Sequence, residues 1–419
     1  MPTQRTPSDD APHQETILVL QGGGALGAYQ AGVFEALSKV YREPSWLAGI
    51  SIGAINAALI AGNPPKQRVE RLREFWQLVS SSSVSTPLAF GNGTGRDFLN
   101  ESSATQAMLF GVPGFFTPRV PPAPFQPAGT AAAISYYDTT PLRDTLARLI
   151  DFDRLNAGEV RLSVGAVNVR NGNFAYFDTA KQRLDVRHIM ASGALPPGFA
   201  PIEIDGEHYW DGGLVSNTPL QYVLDQPGTK PRVVFQVDLF SALGELPRNL
   251  ADVTEREKDI RYSSRTRLNT RNELDRQRLS QAARRLIAKL PAALRDDPDA
   301  RLLARPHCES AVEVVHLIYR SKHYESQSKD YEFSRLSMQE HWVSGHADMT
   351  RTLHDPRWIA RPRNTTGVHV FDLTLATPAQ PTKTPAPAPA TKPARARARS
   401  PRAHYASSPS RSKQGKVSP

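Results

Sequence analysis

46-WLAGISIGAINAALIAG-62 is the stretch on which the reading of this chain turns. A short apolar run over residues 46–50 meets a serine set between glycines, and a small-residue segment of helical character follows. Gly49-Ile50-Ser51-Ile52-Gly53 has the G-x-S-x-G spacing of a serine on a strained strand-to-helix elbow. Side chains beside such a turn must be minimal, and Ala54, Ala57 and Ala58 let the following helix lie close on the strand. The motif alone arises by chance in a chain rich in Gly and Ser, so the remaining residues decide whether Ser51 is a nucleophile.

One strand earlier, the apolar run at residues 16–20 leads into Gln21-Gly22-Gly23-Gly24-Ala25-Leu26-Gly27 and then a helix reaching about Tyr41. Three readings compete for this glycine loop. Gly22-x-Gly24-x-x-Gly27 satisfies the dinucleotide fingerprint, but that motif needs an acidic residue at the end of the next strand, where this chain has Ser51. The loop can instead gather backbone N–H groups at a helix N-terminus as an oxyanion hole. A purely structural turn is the third.

Farther along, Gly62-Asn63-Pro64-Pro65 stops the elbow helix, and residues 69–79 have helical spacing. Residues 80–133 are rich in Ser, Gly and Pro with scattered aromatics, the composition of a lid or binding loop and equally of a disordered insertion. Thr140 is expected to cap a helix with Pro141 at its first position. Strands are expected at residues 160–169, 174–178, 231–240 and 312–319, a hairpin around Asp205-Gly206, a helix from about His188, and a last strand at 367–375. Strands alternating with helices imply an α/β fold with a mostly parallel sheet. Between residues 244 and 306 the chain becomes charged and helical, with Leu279, Ala283, Leu286, Ile287 and Leu290 forming one face of a basic helix. That face suits packing on the α/β body, or an interfacial membrane contact.

The net charge of +10 suggests a polyanion partner until it is located. Residues 377–419 hold nine Lys and Arg and no Asp or Glu, leaving 42 basic against 41 acidic residues elsewhere. The charge therefore belongs to a Pro/Ala-rich tail that cannot build a core and is expected to be disordered. Such a tail suits loose, salt-sensitive contact with an anionic membrane or polyanion, whereas base-specific nucleic-acid recognition is not expected from its single aromatic, Tyr405. No run approaches the roughly 18 apolar residues of a membrane span, and the first residues lack a secretory h-region. With Cys308 as the only cysteine, a cytoplasmic location is expected, with peripheral membrane contact through the tail.

Serine needs an adjacent base. Among the histidines near structured segments (His188, His208, His316, His341, His346) none sits in a loop-after-strand motif, which weakens a Ser-His-Asp triad without removing it. Asp211 follows the aromatic strand end Tyr209-Trp210 and precedes Gly212-Gly213, so it is either a turn residue or a buried carboxylate base.

In order, the glycine loop, Gly49-Ile50-Ser51-Ile52-Gly53, Thr140-Pro141-Leu142, Ala191-Ser192-Gly193-Ala194-Leu195-Pro196, Asp211-Gly212-Gly213 and Asn217-Thr218-Pro219 resemble the bacterial branch of the patatin-like phospholipase family over about residues 15–240. The resemblance implies a three-layer α/β/α fold and hydrolysis of lipid carboxyl esters through a Ser51–Asp211 dyad and an acyl-enzyme. It implies oxyanion donors at Gly22, Gly23, Gly24 and Ile52, with Gly27, Gly49, Gly53, Gly212 and Gly213 in support, and neither cofactor nor metal. Leu26 stands where many members carry Arg or Lys, a departure bearing on anionic headgroups. The domain expectation is an arm over 1–14, a hydrolase domain over 15–240, an accessory, mainly helical C-terminal domain over 241–375, and the tail over 376–419. The alternatives are a general or storage-polyester esterase, and a non-catalytic membrane-docking protein on the same fold.

Overall fold

The computed structural model describes residues 14–40, 43–80, 94–228, 230–303, 311–322, 325, 328–361 and 368–373. All of the expected arm except Gln14, residues 81–93 of the expected insertion, Cys308 and the basic tail lie outside the described residues.

Strands form where β-branched and aromatic residues recur between turn signals. In chain order they are β1 (Glu15–Leu20), β2 (Trp46–Ile50), the short pair β3 (Thr117–Pro118) and β4 (Tyr137–Asp138), β5 (Arg161–Asn168), β6 (Phe174–Asp178), β7 (Ile202–Ile204), β8 (Glu207–Asp211), β9 (Arg232–Asp238), β10 (Val312–Ile318) and β11 (Val368–Asp372). Between them run α1 (Gly27–Val40), α2 (Ile52–Ala61), α3 (Arg68–Val79), α4 (Thr94–Phe110), α5 (Thr140–Leu149), α6 (Phe152–Asn156), α7 (Val186–Ser192), α8 (Leu220–Asp225), α9 (Leu250–Ile287), α10 (Ala292–Arg295), α11 (Pro298–Leu303), α12 (Arg335–His354) and α13 (Pro356–Ile359).

The main sheet has the order β11-β10-β9-β1-β2-β5-β8-β7, with β6 also on β5. From β11 to β5 all neighbours are parallel, and β6, β7 and β8 add an antiparallel end. The expected mostly parallel α/β architecture is thus the one that forms. Its inner strands are apolar on both faces because helices cover both. Leu18, Leu20, Phe235 and Val315 pack beneath α1, α2 and α12. On the opposite face Ile17, Val19, Val234 and Val314 pack beneath Leu220, Val223 and Leu224 of α8.

No division falls near residue 240. Residues 241–375, expected as an accessory domain, supply β10 and β11 to the same sheet, with β10 paired to β9 along its whole length. They also supply α12, which crosses α1 in backbone contact. A Cβ on Gly32 would lie 1.9 Å from the Trp342 carbonyl oxygen, and one on Gly345 would lie 2.0 Å from that of Tyr29. Trp342 Nε1 donates to Glu35 and the Tyr29 hydroxyl to Asp348, which locks the crossing.

Two local expectations also change. Thr140 is not the cap of α5; its N–H and hydroxyl both donate to Asp138 Oδ1, so the start is held from two residues upstream. The expected apolar face of the basic helix lies at the end of α9, yet Leu279 and Leu286 are exposed, so this end does not pack as a core element. Among the described residues no helix is long and apolar enough to cross a membrane.

Candidate active site

The edge of β5 brings the key side chains together. β6 pairs along one edge of β5 from Ser163 to Val167. A strand has two edges, so β2 and β8 must share the other. β2 runs parallel and ends with Ile50 opposite Gly165; β8 runs antiparallel and ends with Asp211 opposite Ala166. Their C-terminal ends meet head to head, and Ser51 and Asp211 become neighbours although 160 positions separate them in the chain.

Ser51 turns the chain from β2 into α2 with φ 54° and ψ −125°, a left-handed backbone that a non-glycine residue adopts only when its surroundings impose it. The crowding around the turn explains its glycines. A Cβ on Gly49 would lie 2.4 Å from the Gly53 carbonyl, and one on Gly53 would lie 2.4 Å from the Leu20 oxygen. The Ser51 N–H donates to Ser192 Oγ at 3.0 Å, and that hydroxyl donates to the Gly165 carbonyl at 2.6 Å. This relay ties the elbow to β5 and leaves the Ser51 hydroxyl free to face Asp211.

Asp211 is only 2% exposed. Burial pushes its carboxyl up, while hydrogen bonds from the Ser51 hydroxyl and the Gly213 N–H oppose the shift; the balance leaves the pKa at about 6. The Gly213 N–H approaches Oδ1 at 2.7 Å, and Gly212 lies against the Gly165 carbonyl. A carboxylate that is mostly ionised at neutral pH yet basic enough to take a proton therefore sits against a strained serine.

The glycine loop completes the floor, with one correction to the expected donors. Gly22 donates its N–H to the Asn217 carbonyl at 3.2 Å, and Asn217 Nδ2 donates back to the Gly22 carbonyl at 2.8 Å. The Gly22 amide is therefore spent on holding the loop. The N–H groups of Gly23, Gly24 and Ile52 carry no hydrogen bond among the described residues, Ile52 because it opens α2. Gly24 has φ +54°, and a Cβ there would lie 2.0 Å from the Asp330 oxygen, which accepts the Ala25 N–H at 2.7 Å. Gln21 Oε1 accepts the amides of Leu239 and Phe240, fastening the loop to the end of β9. Gly27 lies against Ile52 and links the two motifs.

Above these groups is a cavity of about 330 Å³ reached by Ser51, Asp211 and all three loop glycines. Its walls are aromatic. Phe115 and Phe116 come from the expected insertion, Phe199 from the turn after α7, and Phe240, Tyr262 and Phe333 from or beside the region expected as an accessory domain. No histidine is among the residues lining it. His188 caps α7 through Asp185, His208 is an exposed residue of β8, and His316 is enclosed in the sheet. His341 pairs with Glu325, and His346 sits against Lys39. Asn217 and Ser192 stood in recognised motifs without a role; their tethering could be assigned only from contacts. Phe115 and Phe116 lie in the stretch whose composition suited a binding loop, whereas Asp330, Phe240, Tyr262 and Phe333 had no local signal.

A strained serine elbow, a glycine loop and a buried carboxylate on one end of a mostly parallel sheet define a patatin-type α/β fold. The chain belongs to the patatin-like phospholipase family, whose profile matches residues 18–224, and a second profile described as patatin phospholipase matches residues 260–365. A cGAMP-activated phospholipase of Vibrio cholerae is 25% identical over 221 residues, covering 49% of this chain and 56% of that protein. The chain thus spans little more than half the length of that curated relative. Among solved structures, VipD of Legionella pneumophila has a TM-score of 0.36 at 14% identity, covering 82% of this chain and 67% of that one. ExoU of Pseudomonas aeruginosa in complex with SpcU has a TM-score of 0.27 at 16% identity, covering 69% and 58%.

Proposed function

We propose that this chain hydrolyses lipid carboxyl esters through a Ser51–Asp211 dyad. The observation that carries the reading is the buried Asp211 carboxyl, pushed up to about 6 and hydrogen-bonded to Ser51, in a cavity whose described lining contains no histidine. Asp211 takes the Ser51 proton as Oγ attacks the ester carbonyl. The carbonyl oxygen becomes an oxyanion held by the N–H groups of Gly23, Gly24 and Ile52. As the C–O bond breaks, the proton passes to the leaving alcohol. Water, deprotonated by Asp211, then splits the acyl-enzyme and releases the carboxylic acid. The aromatic walls favour an acyl chain over a polar substituent.

Turnover of phospholipid, a short p-nitrophenyl ester and an oligomeric hydroxy ester tests the reading. Ser51→Ala and Asp211→Asn should each lower turnover by about 10⁴-fold or more while the protein stays folded. Because the base must be ionised, kcat/KM of the wild type should rise through pH 6 and level off above it. Loss of similar size on substituting one of the five named histidines would restore the triad reading. A wild type that stays folded yet resists labelling by a fluorophosphonate would favour a non-catalytic docking protein. Preference for the oligomeric ester over phospholipid would favour a polyester hydrolase.

A further inference from the structure

Beside residues that line the cavity, the chain exposes apolar side chains that the chemistry above does not use. Leu109 is 63% exposed and Phe110 73%, at the end of α4; Val120 is 90% and Phe125 78% exposed, in the loop that follows. Ile134 and Tyr136 are about half exposed. Between Glu101 and Asp138 the one charged residue is Arg119, and its guanidinium turns inward onto the Ser135 hydroxyl at 2.9 Å. Exposed large apolar side chains are ordinary when scattered, but a stretch that exposes seven, Met108 included, and almost no charge is not.

These residues adjoin the cavity lining. Leu109 and Phe110 directly follow Met108, which lines the cavity and whose carbonyl accepts the hydroxyl of Tyr137, another lining residue, at 2.9 Å. Tyr136 donates its N–H to Pro197, also of the lining, and accepts the Arg119 N–H at 3.0 Å, which brings the Val120 loop to the same rim. Exposed apolar side chains at positions 109, 110 and 136 thus stand next in the chain to residues of the cavity wall, and backbone hydrogen bonds hold residues 119 and 136 to that wall.

We infer that this rim is the surface by which the protein docks on a lipid bilayer, inserting Leu109, Phe110, Val120 and Phe125 among the acyl chains. The inference rests on the lipid-ester reading above: a water-insoluble ester must leave a bilayer to reach Ser51, and an apolar rim lets its chain cross without meeting water. Tyr136 supplies the amphipathic ring suited to the headgroup boundary. Since the rim is nearly uncharged, docking requires neither anionic lipid nor low salt. The basic end of α9 lies elsewhere: Arg276 pairs with Asp225 at the end of α8, and α8 leads away from Ser51 toward the start of β9.

The test uses the full chain with Leu109→Ser/Phe110→Ser and Val120→Ser/Phe125→Ser double variants, at four positions that do not themselves line the cavity. Flotation with phosphatidylcholine vesicles should show wild-type binding that survives high salt and falls about tenfold or more in each variant. Hydrolysis of vesicle lipid should fall in parallel, while hydrolysis of a dissolved short-chain ester stays within about twofold. Unchanged vesicle binding in both variants overturns the inference, as does binding that needs anionic lipid and vanishes with salt. A change of oligomeric state in the variants, with vesicle binding intact, would assign the rim to a protein contact and overturn it too. If no ester is hydrolysed by the wild type but vesicle binding still falls in the variants, the catalytic reading fails and the docking surface stands.

Discussion

A carboxylate buried beside a hydroxyl costs stability whenever it is ionised, and Asp211 meets that cost at neutral pH. Its folded-state pKa of about 6 lies above the unfolded value of about 3.9, so the folded chain holds the proton more tightly. Stability from this group is complete below about pH 4 and declines as pH rises toward 6. An amide can accept the Gly213 N–H as the carboxylate does but carries no charge. Asp211→Asn should therefore be more stable than wild type at pH 8, by roughly 1–3 kcal/mol, with the advantage gone at pH 4. Urea unfolding at the two pH values measures this; equal stability at both would mean that Asp211 is not desolvated. Asp238, also buried and pushed up to about 7 at the end of β9, bends the wild-type pH curve in the same direction.

At the scale of elements, the α1–α12 crossing shows two effects in competition. Replacing a helical glycine by alanine ordinarily gains up to about 1 kcal/mol of helix propensity. At Gly32 the new methyl would fall 1.9 Å from a backbone oxygen of α12, which cannot rotate away. Overpacking should win, and Gly32→Ala should lower unfolding stability by about 1–3 kcal/mol. A midpoint in chemical denaturation at or above that of wild type would show that the helices are less closely crossed. Nothing in α1 alone distinguishes Gly32 from a weak position in a helix, because the partner carbonyl is more than 300 positions away.

On the scale of the whole molecule, the sheet does not end where the family motifs end. β9 has β1 on one side and β10 on the other, and removing β10, β11 and α12 would expose the edge of β9 and the α1 surface that Trp342 covers. A chain ended at residue 306 should therefore lack a cooperative thermal transition, as followed by circular dichroism, and should aggregate through the bare edge. A cooperative melt comparable to the full chain would restore the boundary near residue 240 that composition suggested. The same region holds the glycine loop from outside, since Asp330 accepts the Ala25 N–H and Lys258 pairs with the Asp330 carboxylate.

The sequence alone determined the elbow, the glycine loop and the Asp-Gly-Gly turn, because each is a local backbone requirement met by neighbouring residues. It also determined the mostly parallel sheet, since apolar runs alternate with helical spacing. Three things were left to tertiary structure. Head-to-head pairing of β2 and β8 on one edge of β5 is a matter of strand register, which hydrophobic pattern does not specify between distant segments. The loss of Gly22 as an oxyanion donor depends on Asn217, whose contact spans most of the domain. The identity of residues 241–375 as sheet and cavity wall rests on which strand β10 joins, and a seven-residue strand carries no record of its neighbour.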